Sequence, residues 1–218
     1  MTAHFVELLD VLRRRSLRLA SAVEDMLDEA CTAALRIDQA LALRVIARDA
    51  EIDAEEVAIE SEVIRLITLF QPMASDMRLL TTVLKVNSDL ERVADCAVNI
   101  AQRARHLDNA GLAGTAADVK DMIGGVQDML RKTLRAYAAE DPSAARRIID
   151  EDAAIDAVYG QLVRKLVAQA TGNPELISVH LDVLSIAKNL ERIADHATNI
   201  AEDVIFLGTG EIVRHHRG

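Results

Sequence analysis

The chemistry legible in this 218-residue chain lies in carboxylates set four residues apart. Glu91, Asp95 and Asn99 form one such ladder, and Glu191, Asp195 and Asn199 form another. On a helix, residues four apart lie on one face, about 40° from each other. Asp49 with Asp53, and Asp152 with Asp156, make shorter acidic pairs of the same spacing. Like charges at this spacing destabilise a helix by a few tenths of a kcal/mol, and partial desolvation adds to the cost. Arg92 and Arg192 follow the glutamates directly but leave the helix about 100° away. Arg48 can help beside Asp49. A cation held by carboxylates from two adjacent helices would offset the repulsion on both. The competing reading is of ordinary surface acids with arginine partners, and spacing alone leaves both open.

Other site chemistries find no support. The chain has no GxxxxGK[ST] or GxGxxG loop to cradle a phosphate and no GxSxG elbow. The di-iron bundle signature needs a His three residues after the Glu; Ala94 and Ala194 stand there. His196 follows Asp195, but its counterpart in the other ladder is Cys96, which favours a structural role for this histidine. Cys31 and Cys96 form no CxxC pair, which points to a reducing compartment. The net charge of −10 argues against a nucleic-acid binder. The basic runs Arg13-Arg14-Arg15 with Arg18, and Arg214-His215-His216-Arg217, read as solvated faces and a loose tail.

The elements that must position these acids are helices. Half of the residues are hydrophobic, only 2% are aromatic, and Val and Ile recur at helical rather than alternating spacing. The three prolines, Pro72, Pro142 and Pro174, mark breaks, as do Gly111, Gly114, Gly172, Gly208 and Gly210. The pattern predicts helices over 3–34, from an Asp38 N-cap to Phe70, over 75–107, over 116–139, from an Asp141-Pro142 start to Thr171, and from Glu175 to just before Gly208. Gly124 and Gly125 weaken the fourth. On the third helix Leu80, Val83, Leu90, Ala94, Ala97 and Ala101 point one way, and Glu91 and Asp95 fall at the edge of that sector. On the second, Asp49, Asp53, Glu56 and Glu60 flank the stripe of Ile52, Ile59, Val63 and Leu66. Long amphipathic helices joined by short turns give antiparallel bundles. No apolar run approaches the roughly 20 residues of a membrane span, and the N-terminus has no signal-peptide core. The expected location is the cytoplasm.

The chain repeats itself. Residues 89–101 read DLERVADCAVNIA and residues 189–201 read NLERIADHATNIA, with nine of 13 positions identical at an offset of 100. Asp49-Ala50-Glu51-Ile52-Asp53 lines up with Asp152-Ala153-Ala154-Ile155-Asp156, and Pro72 and Pro174 each precede a third helix. Duplication of a three-helix unit explains all of this. The segment Asp108 to Thr115 is the expected boundary, giving repeats over 1–110 and 111–218.

The segments LERVADCAVNIA and LERIADHATNIAE resemble the two signature motifs of the PhoU family, whose hallmark is a repeated Glu/Asp-x-x-x-Asp. Ala94 and Ala194 replace the family's frequent Gly. QPMASDMRLL at 71–80 resembles the run after the family's proline break. The resemblance spans the whole chain and implies an all-α fold of two tandem three-helix bundles. It implies multinuclear iron or zinc sites, held by Asp49, Asp53, Glu91 and Asp95 in one half and Asp152, Asp156, Glu191 and Asp195 in the other. Asn99 and Asn199 would be additional oxygens, and Cys96 in place of the common His would make the halves unequal. It further implies a non-enzymatic, homodimeric regulator. Such a regulator couples the ATPase subunit of the high-affinity phosphate ABC transporter to the phosphate-sensing histidine kinase, at the inner face of the membrane. It represses the phosphate-starvation response. A metal-dependent carboxylate enzyme and a purely structural helical scaffold are the alternatives.

Overall fold

The computed structural model describes residues 3–107 and 114–213. The expected boundary around Asp108 to Thr115 and the basic tail from Arg214 lie wholly or mostly outside them. Among the described residues the structure is helical, with no strand. The first bundle comprises α1 (Ala3–Arg36), α2 (Gln39–Ala47), α3 (Asp49–Phe70) and α4 (Ser75–Ala104). The second comprises α5 (Ala116–Ala139), α6 (Pro142–Ile149), α7 (Asp152–Gly172), a 3-10 turn (Pro174–Leu176) and α8 (Ile177–Thr209).

Local chemistry explains the starts. The Asp38 carboxylate accepts from the Leu41 amide at 2.9 Å. The Asp141 carboxylate accepts from the Ser143 and Ala144 amides, with Pro142 at the first helical position. Both expected caps are present.

The second and fifth expected helices are each broken in two. The amide of Arg48 bonds back to Val45 and to Arg44, and that of Glu151 to Ile148, tightening the chain for one turn. Each break falls at the residues just before an expected ligand, so that Asp49 and Asp152 begin new helices. The positive end of a helix dipole favours a carboxylate there.

Gly208 does not end the last helix. Its bare Cα lies against Pro142, whose Cγ is 3.1 Å from where a Cβ would stand, and the helix runs on to Thr209. Gly210, at φ +78°, supplies the left-handed cap.

α4 and α8, which carry the repeated motifs, pack against each other, and α1 packs against α5. α3 lies on α1 and α4, and α7 on α5 and α8. One continuous apolar core runs through both bundles, from Phe5 and Met26 in the first to Ile193 and Val204 in the second. No helix among the described residues is long and apolar enough to cross a membrane.

Candidate functional site

In the first bundle the fold brings the expected acids of two helices into one electrostatic field. Asp49 is half-buried at the start of α3, and Glu91 and Asp95 are half-buried on α4. The Asp49 carboxyl is pushed above its ordinary range first by burial, then by Asp53 on its own helix and Asp95 on the neighbour. Glu91 is raised by burial and by Asp95, with smaller contributions from Asp53 and Glu56 across the groove, while Arg92 opposes them. Glu56 is raised by burial, Glu60 and Asp53. The face is therefore broader than the four expected ligands, since Glu56 and Glu60 continue it along α3.

Arg92 does more than its helical position suggests. Its guanidinium folds back to 3.3 Å from Glu91 and 3.6 Å from Asp95. That contact is more than half exposed on the arginine side and leaves Glu91 still raised. Among the described residues, no group of three or more His, Cys, Asp and Glu side chains stands ready to hold a metal ion. The donor set nevertheless suits a hard or borderline cation: it offers only oxygens, and several carboxyls are strained by burial and by one another.

The second bundle is built differently. Asp152 is buried, Asp156 exposed, and Glu191 and Asp195 half-buried. Lys188 donates to Glu191 at 2.6 Å, lies over the Tyr159 ring at 5.6 Å, and feels Asp195 as well. Ser88 occupies the position of Lys188 in the first repeat, and Tyr159 and Val163 occupy those of Glu56 and Glu60. A built-in cation thus stands where the first bundle has additional acids.

The motif positions that differ between repeats do another job. Down α4, Lys85, Asp89 and Arg103 meet Asp203, His196 and Asp182, in that order, up α8. The distances are 2.7, 2.8 and 3.3 Å. The two helices therefore cross antiparallel about Val93 and Ile193, both fully buried at the centres of the repeated motifs. His196 turns to Asp89 of the other bundle, and Asn199 donates to the same Asp89 oxygen at 3.3 Å, away from its own ladder.

The reciprocal positions hold Cys96 and Asn189. Cys96 lies near Arg192 and Glu191 of α8, and Asn189 donates to Ser185 while its buried Oδ1 has no partner among the described residues. One charged or hydrogen-bonded pair thus stands opposite a neutral combination. Sequence reasoning missed Asp89, Lys85, Asp182 and Asp203. The signal was there: Asp89 becomes Asn189 just where Cys96 becomes His196, as expected of residues that meet across copies.

Neither cysteine is a reactive centre. Burial pushes the Cys96 thiol up to about 11 against the pull of Arg192, and raises Cys31 further. Both thiols are buried. In the native protein at pH 8, an aromatic disulfide reagent should therefore modify them at least about a hundredfold more slowly than in urea. Rapid modification of Cys96 in the folded protein would contradict its packing at the crossing.

The class this architecture defines is a tandem helical-bundle protein. Its two motif helices pack back to back, and its acidic faces look outward. The PhoU domain family model matches residues 17–104 and 119–204, once in each bundle. Two relatives, each named a phosphate-specific transport system accessory protein PhoU homolog, align along nearly the whole chain. The one from Zymomonas mobilis is 37% identical over 95% of this chain and 87% of its own length. That from Caulobacter vibrioides is 36% identical over 100% and 96%. The crystal structure of PhoU from Pseudomonas aeruginosa superposes with a TM-score of 0.92 at 34% identity, covering 95% of this chain and 100% of that one. The phosphate transport system regulatory protein PhoU from Streptococcus pneumoniae gives 0.89 at 31%, covering 96% and 99%. The chain belongs to the PhoU family.

Proposed function

We propose that this chain is a non-catalytic accessory regulator of phosphate uptake. It works in the cytoplasm, as a homodimer, at the inner face of the membrane. It links the ATPase subunit of a phosphate ABC transporter to a phosphate-sensing histidine kinase and holds the starvation response off when phosphate is plentiful. The supporting observation is the full-length match, in both bundles, to relatives named as phosphate transport accessory proteins. The open placement of the acids along helix faces also suits a binding role better than turnover, which favours an enclosed pocket.

In the same reading, metal ions are part of the regulator. Asp49, Asp53, Glu91 and Asp95 would hold one set, and Asp152, Asp156, Glu191 and Asp195 the other, with iron or zinc as the ions. A bound ion would supply positive charge that relieves the carboxylate repulsion and ties α3 to α4. Asn99 lies one turn beyond Asp95 as a further oxygen. The first set would bind more tightly, because Lys188 competes for Glu191 in the second.

The test is complementation in a host whose own family member is deleted. The wild-type chain should restore repression of a phosphate-starvation promoter in high phosphate, and a tagged form should co-purify with the transporter ATPase subunit. A chain that is expressed and folded, yet neither restores repression nor co-purifies, would sink the reading.

A further inference from the structure

The second bundle carries a cavity that the acidic faces do not use. It lies where the C-terminal half of α5 meets α6 and has a volume of about 410 Å³. That is within the range of about 300–1,000 Å³ usual for small-molecule sites. Its apolar lining comes from Ala136, Ala139, Ala144 and Ile148, and Arg135 and Arg147 line it from the two helices.

The neighbouring charges are already committed. Lys132, also on the lining, is held by Asp128 at 2.8 Å and by Glu151 at 2.9 Å. The Asp141 carboxylate accepts the first amides of α6. Arg131 pairs with Glu24, and Arg146 with Glu211. Arg135 and Arg147 have no hydrogen bond or ion pair among the described residues. In a chain of net charge −10, the lining sets three cations, Lys132, Arg135 and Arg147, against two carboxylates, Asp141 and Glu151, and two of the three, the guanidiniums, are uncommitted. Each offers a planar fork of donors that matches a phosphate.

We propose that this cavity binds a phosphorylated small molecule with a flat apolar or aromatic body. The phosphate lies with Arg135 and Arg147, and the body rests on the alanine and isoleucine floor. A phosphate monoester carries about −1.5 to −2 at neutral pH, which balances two guanidiniums. Inorganic phosphate would satisfy the arginines but leave the floor uncovered. An acidic peptide would lay backbone amides and carbonyls on the alanine and isoleucine side chains of that floor, which offer them no hydrogen-bond partners. The proposal is independent of the metal reading, because none of its residues belongs to the acidic faces.

Calorimetric titration of the full chain with AMP as the probe tests it, beside adenosine, inorganic phosphate and an acidic peptide. AMP should bind to the wild type and to Arg14→Ala, an exposed arginine on α1 far along the sequence from the cavity. Affinity should fall at least about tenfold in the Arg135→Ala/Arg147→Ala double variant, with an unchanged circular-dichroism spectrum. Adenosine and inorganic phosphate should each bind at least about tenfold more weakly than AMP. No binding of AMP to the wild type overturns the proposal, as does equal binding to the double variant. So does inorganic phosphate matching AMP, or the peptide alone binding in an arginine-dependent way.

Discussion

Zinc added to metal-stripped protein should raise its melting temperature, and the gain should vanish in the Asp49→Asn/Glu91→Gln/Asp95→Asn variant. An ion that binds only the folded chain stabilises it by about 2.7 kcal/mol at a hundredfold excess over Kd. For a chain of this size that is about 5–10 °C. The variant should also be the more stable of the two without metal, by a few tenths of a kcal/mol, since the two like-charge pairs it removes outweigh the helix-end attraction of Asp49 and the exposed Arg92 contacts it also loses. The sign follows from Asp49 and Glu91, whose folded carboxyls titrate above their unfolded range. The stability they contribute is full below the unfolded range, near pH 4, and is lost as pH rises through the raised folded values. The advantage of the variant should therefore be largest at neutral pH and shrink toward pH 4. A variant that still gains several degrees from zinc, or that is less stable than the wild type without it, would remove Asp49, Glu91 and Asp95 from the metal reading. The matching variant at Asp152, Glu191 and Asp195 should change the response less, because Lys188 already neutralises Glu191.

Ile193→Ala should lower stability by about 2–5 kcal/mol, the usual range for emptying a fully buried aliphatic site. Ile193 is fully buried near the centre of the crossing between α4 and α8, so the cavity would open between the bundles. Because the core is continuous, both halves should unfold together before and after the substitution. Two probes report the halves separately. Cys31 lies in the core of α1 in the first bundle, and both tyrosines, Tyr137 and Tyr159, belong to the second. Tyr137 is further tied to Ser16 of α1 by a 2.9 Å hydroxyl contact. Thiol exposure and tyrosine fluorescence should share one denaturant midpoint, shifted in parallel by the substitution. Separate midpoints in the wild type would show that the bundles are independent domains.

The helices were legible because each carries its own information. The Asp38 and Asp141 caps need only the amides two or three residues ahead, and the apolar stripes need only the 3.6-residue period. The breaks at Arg48 and at Asp150–Glu151 were not legible. Neither proline nor glycine occurs there, so no local signal ends the helix. Gly208 read as a stop, yet it is a contact surface for Pro142, a residue 66 positions away. The acidic ladders were visible as spacing, and their meeting across α3 and α4 depended on how those helices pack.

The sequence by itself determined that the chain is helical, that it is duplicated, and which carboxylates share a helix face, since these follow from composition, identity at a fixed offset and helical geometry. Only the tertiary structure decided that the motif helices cross antiparallel, so that Asp89 meets His196 and Lys85 meets Asp203. It also decided that the two acidic faces are unequal, with Glu56 raised beside Asp53 in one bundle and Lys188 bound to Glu191 in the other. The physical reason is that charge acts through space: two repeats can share a motif letter for letter and still differ in the field that their packed neighbours impose on it.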